Sequence, residues 1–201
     1  MVDDKVRLNK IAILYGANAS SKSNMLFALQ TVFRLLTTPK STRDKKIACY
    51  HPFALAKGEP TRMGLSFYAD AVRYDYEISY NEDYILSETL NFYPKGYKAL
   101  FYSREFVSES SAANISFGTS AEIRKKAENI FVSNTLNNHT VLSTYAKVAF
   151  DEDVKAVSEL FAWITGSMHG INEYHDQNET FADMMHKVEE DPKMKQFFLQ
   201  M

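Results

Sequence analysis

Cysteine is almost absent from this sequence: Cys49 is the single one in 201 residues. That excludes an internal disulfide framework and suits a reducing compartment. Cys49 could be a reactive thiol, but a buried or bystander cysteine is the simpler reading. No run of about eighteen apolar residues occurs, which excludes a helical membrane span. The opening Met-Val-Asp-Asp-Lys is too acidic and polar for a signal peptide, so a cytoplasmic location is expected. An excess of one charge is missing as well. With 23 Lys and Arg against 25 Asp and Glu, nothing draws the whole chain toward nucleic acid or an acidic membrane. There is no repeat, no H-E-x-x-H zinc motif, and no Ser/His/Asp or Cys/His set in a motif context that supports nucleophilic catalysis.

Aromatic residues, in contrast, are plentiful. The 14 Phe and 12 Tyr favour twisted antiparallel sheet over a helical bundle. The length suits one domain, or one lobe of a larger domain, with a substantial core.

The chemistry is concentrated in residues 10–36. Ile11, Ala12, Ile13, Leu14 and Tyr15 form a short apolar run suited to a buried strand. A loop follows, Gly16-Ala17-Asn18-Ala19-Ser20-Ser21-Lys22-Ser23, and then Met25, Leu26, Leu29, Val32, Phe33 and Leu36 fall at helical spacing. Strand, loop and helix in this order are the setting of a phosphate-binding P-loop, G-x-x-x-x-G-K-[ST]. Backbone N–H groups of the loop and first helical turn converge on one anion, and the helix dipole favours negative charge there. The candidate nucleotide-binding residues are Gly16, Ala17, Asn18, Ala19, Ser20, Ser21, Lys22, Ser23 and Asn24. Lys22 would reach the β- and γ-phosphates, and the Ser23 hydroxyl would ligate Mg²⁺. One position departs from the motif: Ser21 stands where the second glycine belongs, and glycine serves there because the backbone curls tightly round the phosphates. The competing reading is an ordinary strand–helix turn with Ser20 as N-cap and Lys22 on the surface.

The stretch Tyr-Gly-Ala-Asn-Ala-Ser-x-Lys-Ser-Asn, ending at Asn24, resembles the P-loop of bacterial and archaeal AAA-family ATPases with ABC-like heads. These are relatives of the OLD (overcoming lysogenisation defect), RecF and SMC ATPases, several of them in phage defence. His51-Pro52-Phe53, Tyr74-Asp75-Tyr76-Glu77-Ile78, Tyr93-Pro94-Lys95-Gly96 and Thr135-Leu136-Asn137-Asn138 are similar to segments that follow in that family. The resemblance implies ATP and Mg²⁺ as ligands. It also implies a working cycle in which two heads dimerise around ATP, with DNA or a defence-system protein as a further partner.

Elsewhere the pattern is structural. Pro39 stops the first helix, and the cations Lys40, Arg43, Lys45 and Lys46 read as an exposed loop. Residues 62–117 read as antiparallel sheet: Val72, Tyr74, Tyr76, Ile78 and Tyr80 alternate with Arg73, Asp75, Glu77 and Ser79, a strand with one buried face. Turns are expected at Asp70-Ala71, Asn81-Glu82-Asp83 and Pro94-Lys95-Gly96. The tyrosines could stack bases, but core packing explains them more simply. Thr119 with Glu122 has the spacing of a capping box opening a helix to about Ile130. Residues 141–150 could be strand or helix, and Val154, Val157, Leu160, Phe161 and Ile164 fall at helical spacing. Phe150-Asp151-Glu152 superficially resembles a Walker B box. Lys147 interrupts its apolar run, however, and Asp151 to Asp153 suit the acidic start of a helix. His169, His175 and His186 with neighbouring acids form no compact ligand motif, and a polar loop is the simpler reading.

The expected fold is therefore α/β: the N-terminal lobe of a P-loop NTPase of ABC-ATPase type, with a strand–loop–helix in 1–36, an antiparallel β-subdomain in 62–117 and a mainly helical part in 119–201. The signature motif, Walker B acids and switch histidine that the resemblance implies have no counterpart here. The expectation is an excised or truncated lobe that binds ATP and hydrolyses it only with further chain. Two alternatives stand beside it: a non-catalytic interaction module with a relic P-loop, and a nucleic-acid-binding piece using Arg43, Lys45, Lys46 and Arg124 to Lys126.

Overall fold

The computed structural model describes residues 7–8, 11–18, 20–43, 46–47, 49–53, 55–56, 58–108, 113–150 and 154–167. The chain divides into two units, Met1–Ser167 and Met168–Met201, and all described residues fall in the first. In chain order the elements are α1 (Lys22–Thr37), β1 (Thr61–Ala69), β2 (Val72–Tyr80), β3 (Ile85–Phe92), β4 (Ala99–Glu105), β5 (Asn114–Phe117), a short 3-10 turn (Thr119–Ala121), α2 (Lys125–Asn134), α3 (Val141–Lys147) and α4 (Lys155–Ser167).

The five strands form a meander in which each pairs antiparallel with its sequence neighbour. Period-two patterning decides which side faces the core. On β2, Tyr74, Tyr76, Ile78 and Tyr80 are buried, as the alternation predicts. Register then lines up whole rows on that face. Leu65, Tyr76, Leu90, Tyr102 and Phe117 form one, and Met63, Ile78, Glu88, Arg104 and Ile115 the next. A bulge at Leu90/Asn91 inserts Phe101 as an extra inward residue, fully buried edge-on against Phe92 with ring centroids 5.0 Å apart. The opposite face is polar. There Asp75 accepts from Ser66, Arg73 and Tyr93.

Helices cover the inner face through aromatic contacts. Trp163 of α4 stacks on Phe67 at 5.3 Å, and Phe131 of α2 packs on Phe117 and Phe150. Tyr145 of α3 meets Phe150 and Phe161. Ring pairs of this kind contribute about 0.5–1.5 kcal/mol beyond their buried area, so the aromatic content is spent on the core.

Turn chemistry sets the register. Ala69 pairs with Val72, leaving Asp70 (φ 46°) and Ala71 (φ 66°) as a two-residue loop with both residues left-handed. That turn matches the strand twist, but its second position suits glycine better than alanine. Ala71→Gly is expected to stabilise the domain by roughly 0.5–1 kcal/mol, read as a small rise in Tm by circular dichroism. An unchanged or lower Tm would mean that alanine carries no strain there.

Two expectations are corrected, and the choice left open for 141–150 is resolved. Residues 11–15 form no strand, and Ile11, Ile13, Leu14 and Tyr15 are exposed; a strand needs partners, and none of the five described strands pairs with this segment. Thr119 and Glu122 make no capping box. Ala121 is instead tucked into the core by a 3-10 turn, Glu122 turns left-handed (φ 54°), and the helix begins only at Lys125. Thr119 makes no side-chain cap of a helix because that helix has not yet started. Residues 141–147 are helix, opened by Thr140, whose hydroxyl accepts from the Ser143 N–H. Asp151 and Glu152, together with His169, His175 and His186, lie outside the described residues.

Candidate nucleotide-binding loop

Helix α1 starts at Lys22 because Ser21 turns the backbone into it. Ser21 is left-handed (φ 63°, ψ 16°), and its side chain caps nothing. The first intrahelical bond runs from the Met25 N–H to the Ser21 carbonyl. The N–H groups of Lys22, Ser23 and Asn24 precede it and have no intrahelical acceptor, as at any helix start. No carboxylate sits in that first turn to oppose an anion.

The Lys22 ammonium folds back over the loop. It donates to the carbonyls of Gly16 (2.8 Å) and Ala17 (2.7 Å) and to Ser20 Oγ (3.3 Å). The Ser20 N–H closes a turn onto the Ala17 carbonyl. A Cβ at Gly16 would lie 2.9 Å from Ser20 Oγ, a contact that rotation of the serine side chain would relieve. Of the nine sequence-predicted residues, Gly16, Ala17, Ser20 and Lys22 are brought together around one ammonium. Ser21 makes the hinge, while Asn18, Ser23 and Asn24 are exposed alongside. Ala19 lies outside the described residues. Ser20 is not the N-cap: Ser21 holds that position, without a side-chain cap.

The residues present fit a phosphate group. A left-handed residue occurs at the position where the motif carries glycine, the helix opens immediately after it, and a lysine at that point already gathers oxygen ligands. Serine there costs on the order of 1 kcal/mol relative to glycine.

Helix α1 is held at its other end. Val32, Leu35 and Leu36 are buried, whereas Met25, Leu26 and Phe27 are exposed. Thr140 Oγ1 donates to the Leu35 carbonyl (2.7 Å), and Asn138 Nδ2 donates to the carbonyls of Thr42 and Arg43. The turn carrying Asn138 and Thr140 is fixed from the sheet. Arg104 donates to the carbonyls of His139 (2.5 Å) and Leu136 (3.0 Å), while Glu88 accepts the Val141 N–H (2.9 Å). Glu88 also accepts from Tyr102 (2.7 Å) and Tyr76 (3.2 Å), and it faces Arg104 at 3.8 Å. Burial pushes the Glu88 carboxyl above its ordinary range, and Arg104, Tyr102 and the Val141 N–H pull against that. Sequence reasoning passed over this network. The signal was an opposite-charge pair in the inward register, Glu88 two residues from Leu90 and Arg104 two from Tyr102.

His139 sits inside the same turn, with Nε2 3.2 Å from Thr144 Oγ1. Burial, and then the positive charges of Lys147 and Arg104, lower its pKa to about 3. Below the unfolded value near 6.5 the unfolded chain takes up a proton that the fold refuses. This contribution is therefore complete above about pH 6.5 and is lost as pH falls toward 3, by about 1.4 kcal/mol per unit. The imidazole is expected to stay neutral by NMR from pH 8 to pH 5; a midpoint above 6 would contradict the burial.

The cations weighed for nucleic acid are partly engaged: Lys46 pairs with Glu82 (3.0 Å) and Lys125 with Glu128 (2.8 Å). Among the described residues no group of three or more His, Cys, Asp or Glu could hold a metal ion, and no helix is long and apolar enough to cross a membrane. No curated protein and no solved structure matches the chain. A family model does match, over residues 11–198, and its description reads "AAA domain, putative AbiEii toxin, Type IV TA system". The match runs from the segment before the loop through the four described helices, and the chain belongs to this AAA family of P-loop, nucleotide-binding ATPase-like domains.

Proposed function

We propose that the chain binds ATP with Mg²⁺ through residues 16–24, as the N-terminal lobe of an ABC-like AAA ATPase of the OLD, RecF and SMC kind. The observation that carries this is the Lys22 ammonium gathered on Gly16 and Ala17 directly beside the left-handed Ser21. On binding, Lys22 exchanges those carbonyls for phosphate oxygens, and the N–H groups of Lys22, Ser23 and Asn24 turn toward the same charge. The Ser23 hydroxyl would help to hold Mg²⁺, whose chemistry there would be to neutralise phosphate charge. The described residues contribute positioning and charge; a water-activating acid and an opposing signature are needed in addition for hydrolysis. Head-to-head dimerisation around ATP, a cytoplasmic location and a part in phage defence complete the proposal. The toxin–antitoxin wording of the family description is in keeping with a defence role.

Ser21 favours a second reading, a folded loop that has lost its ligand. Calorimetry with Mg-ATP on the parent, Lys22→Ala and Ser21→Gly separates the two. The expected result is binding in the parent, at least tenfold weaker in Lys22→Ala because a charge-assisted contact of about 1.5–3 kcal/mol is lost, and tighter in Ser21→Gly. Binding confined to Ser21→Gly would establish the relic. Absence of binding in all three folded proteins would overturn ATP binding by this chain alone.

A further inference from the structure

The sheet has two edges of unequal character. β5 is four residues long, whereas β1 runs for nine, Thr61–Ala69, with no bulge against β2 and no proline. Arg62 is its one charged residue. Long, straight and nearly uncharged edges are what soluble proteins ordinarily avoid, because unpaired N–H and C=O groups invite another strand. Among the described residues no loop hydrogen-bonds to this outer edge.

The two-residue hairpin tells which groups point outward. Its closing pair, Ala69 with Val72, is hydrogen-bonded in such a turn, and the pattern alternates from there. Odd-numbered residues of β1 therefore bond to β2, and Arg62, Gly64, Ser66 and Tyr68 direct their backbone groups away from the sheet.

We propose that β1 pairs antiparallel with β1 of a second copy of this chain, about a two-fold axis at Leu65. The strand is self-complementary in this register, which alone pairs its full length. Arg62 lies opposite Tyr68 of the second copy, so no like charges meet and a cation faces an aromatic ring. Gly64 lies opposite Ser66, two small residues on the outer face. On the inner face Leu65 meets its own copy and Met63 meets Phe67. These three side chains are half-buried at the sheet's margin, and pairing extends the apolar row over them. The two meanders become one continuous sheet, and neither copy keeps a long open edge. The arrangement uses a surface separate from the nucleotide loop and does not depend on it.

Sedimentation of the full chain at about 1–100 μM tests this, with Gly64→Pro as the edge variant. Proline removes an outward N–H and is tolerated on an edge strand, and a Cβ at Gly64 meets only the Tyr76 carbonyl, at 3.8 Å. The parent should be dimeric and Gly64→Pro monomeric with unchanged circular dichroism. If that variant fails to fold, cross-linking decides the matter without it. In a Cys49→Ser background, Leu65→Cys should oxidise to a disulfide-linked dimer, because directly opposed Cβ atoms lie within about 5.5 Å, and Gly64→Cys should not. A monomeric parent, a dimer indifferent to Gly64→Pro, or equal cross-linking at both cysteines would overturn the proposal. An edge that takes a different strand would give the monomeric parent.

Discussion

Arg104→Ala will cost the domain about 3–5 kcal/mol, the range found when one partner of a buried ion pair is removed. Arg104 and Glu88 are both fully buried. Without the guanidinium, Glu88 keeps only Tyr76, Tyr102 and the Val141 N–H, and the carbonyls of Leu136 and His139 lose their donor. For a domain of this size the loss lowers Tm by roughly 10 °C. Glu88→Gln should be milder, since an amide keeps the shape and an acceptor. The double variant should be less unstable than the two single effects summed, by about 1–3 kcal/mol, because the second change no longer breaks a pair. Urea unfolding of the four proteins measures this coupling; strict additivity would show that the pair is incidental to the fold.

Gly118→Ala will be of similar size for a different reason. The Gly118 backbone is ordinary extended chain (φ −72°, ψ 146°), so its conformation would suit any residue. Space would not. A Cβ at this position falls 1.9 Å from the Leu100 carbonyl oxygen and 2.7 Å from its carbon. Both are backbone atoms of β4, and the Gly118 N–H is itself bonded to the Phe101 carbonyl (3.1 Å). Relief requires β5 to move away from β4, a distortion of about 3 kcal/mol. Hydrogen exchange should quicken in 114–121 first and leave the β1–β2 pairing protected. Exchange rising evenly over the sheet, or not at all, would contradict this account.

Local signals were the ones the sequence carried openly. The period-two run of β2 and the turns at Asp70-Ala71 and Pro94-Lys95-Gly96 depend on neighbours within a few residues, and the structure has them. The P-loop helix was equally plain, ended by Thr38 and Pro39 as expected. What could not be read was set by contacts distant in sequence. Apolar 11–15 has strand character but no strand beside it among the described residues. Thr119 and Glu122 have capping spacing, but the Gly118–Leu100 contact and the burial of Ala121 impose a 3-10 turn first. Nothing local marks the Asn138–Thr140 turn, because its bonds to Leu35, Thr42 and Arg43 cross about a hundred residues. At the site, residue identities gave the loop, whereas the left-handed Ser21 and the inward fold of Lys22 required coordinates.

Among the described residues the buried side chains of helix α1 lie in its second half, and that has a consequence for how such a loop can change over time. The described residues of 16–24 are exposed or half-buried, so substitutions there leave the packing of the sheet and its buried ion pair undisturbed. Serine or glycine at position 21 would leave the domain the same shape, so Ser21→Gly would meet an intact scaffold.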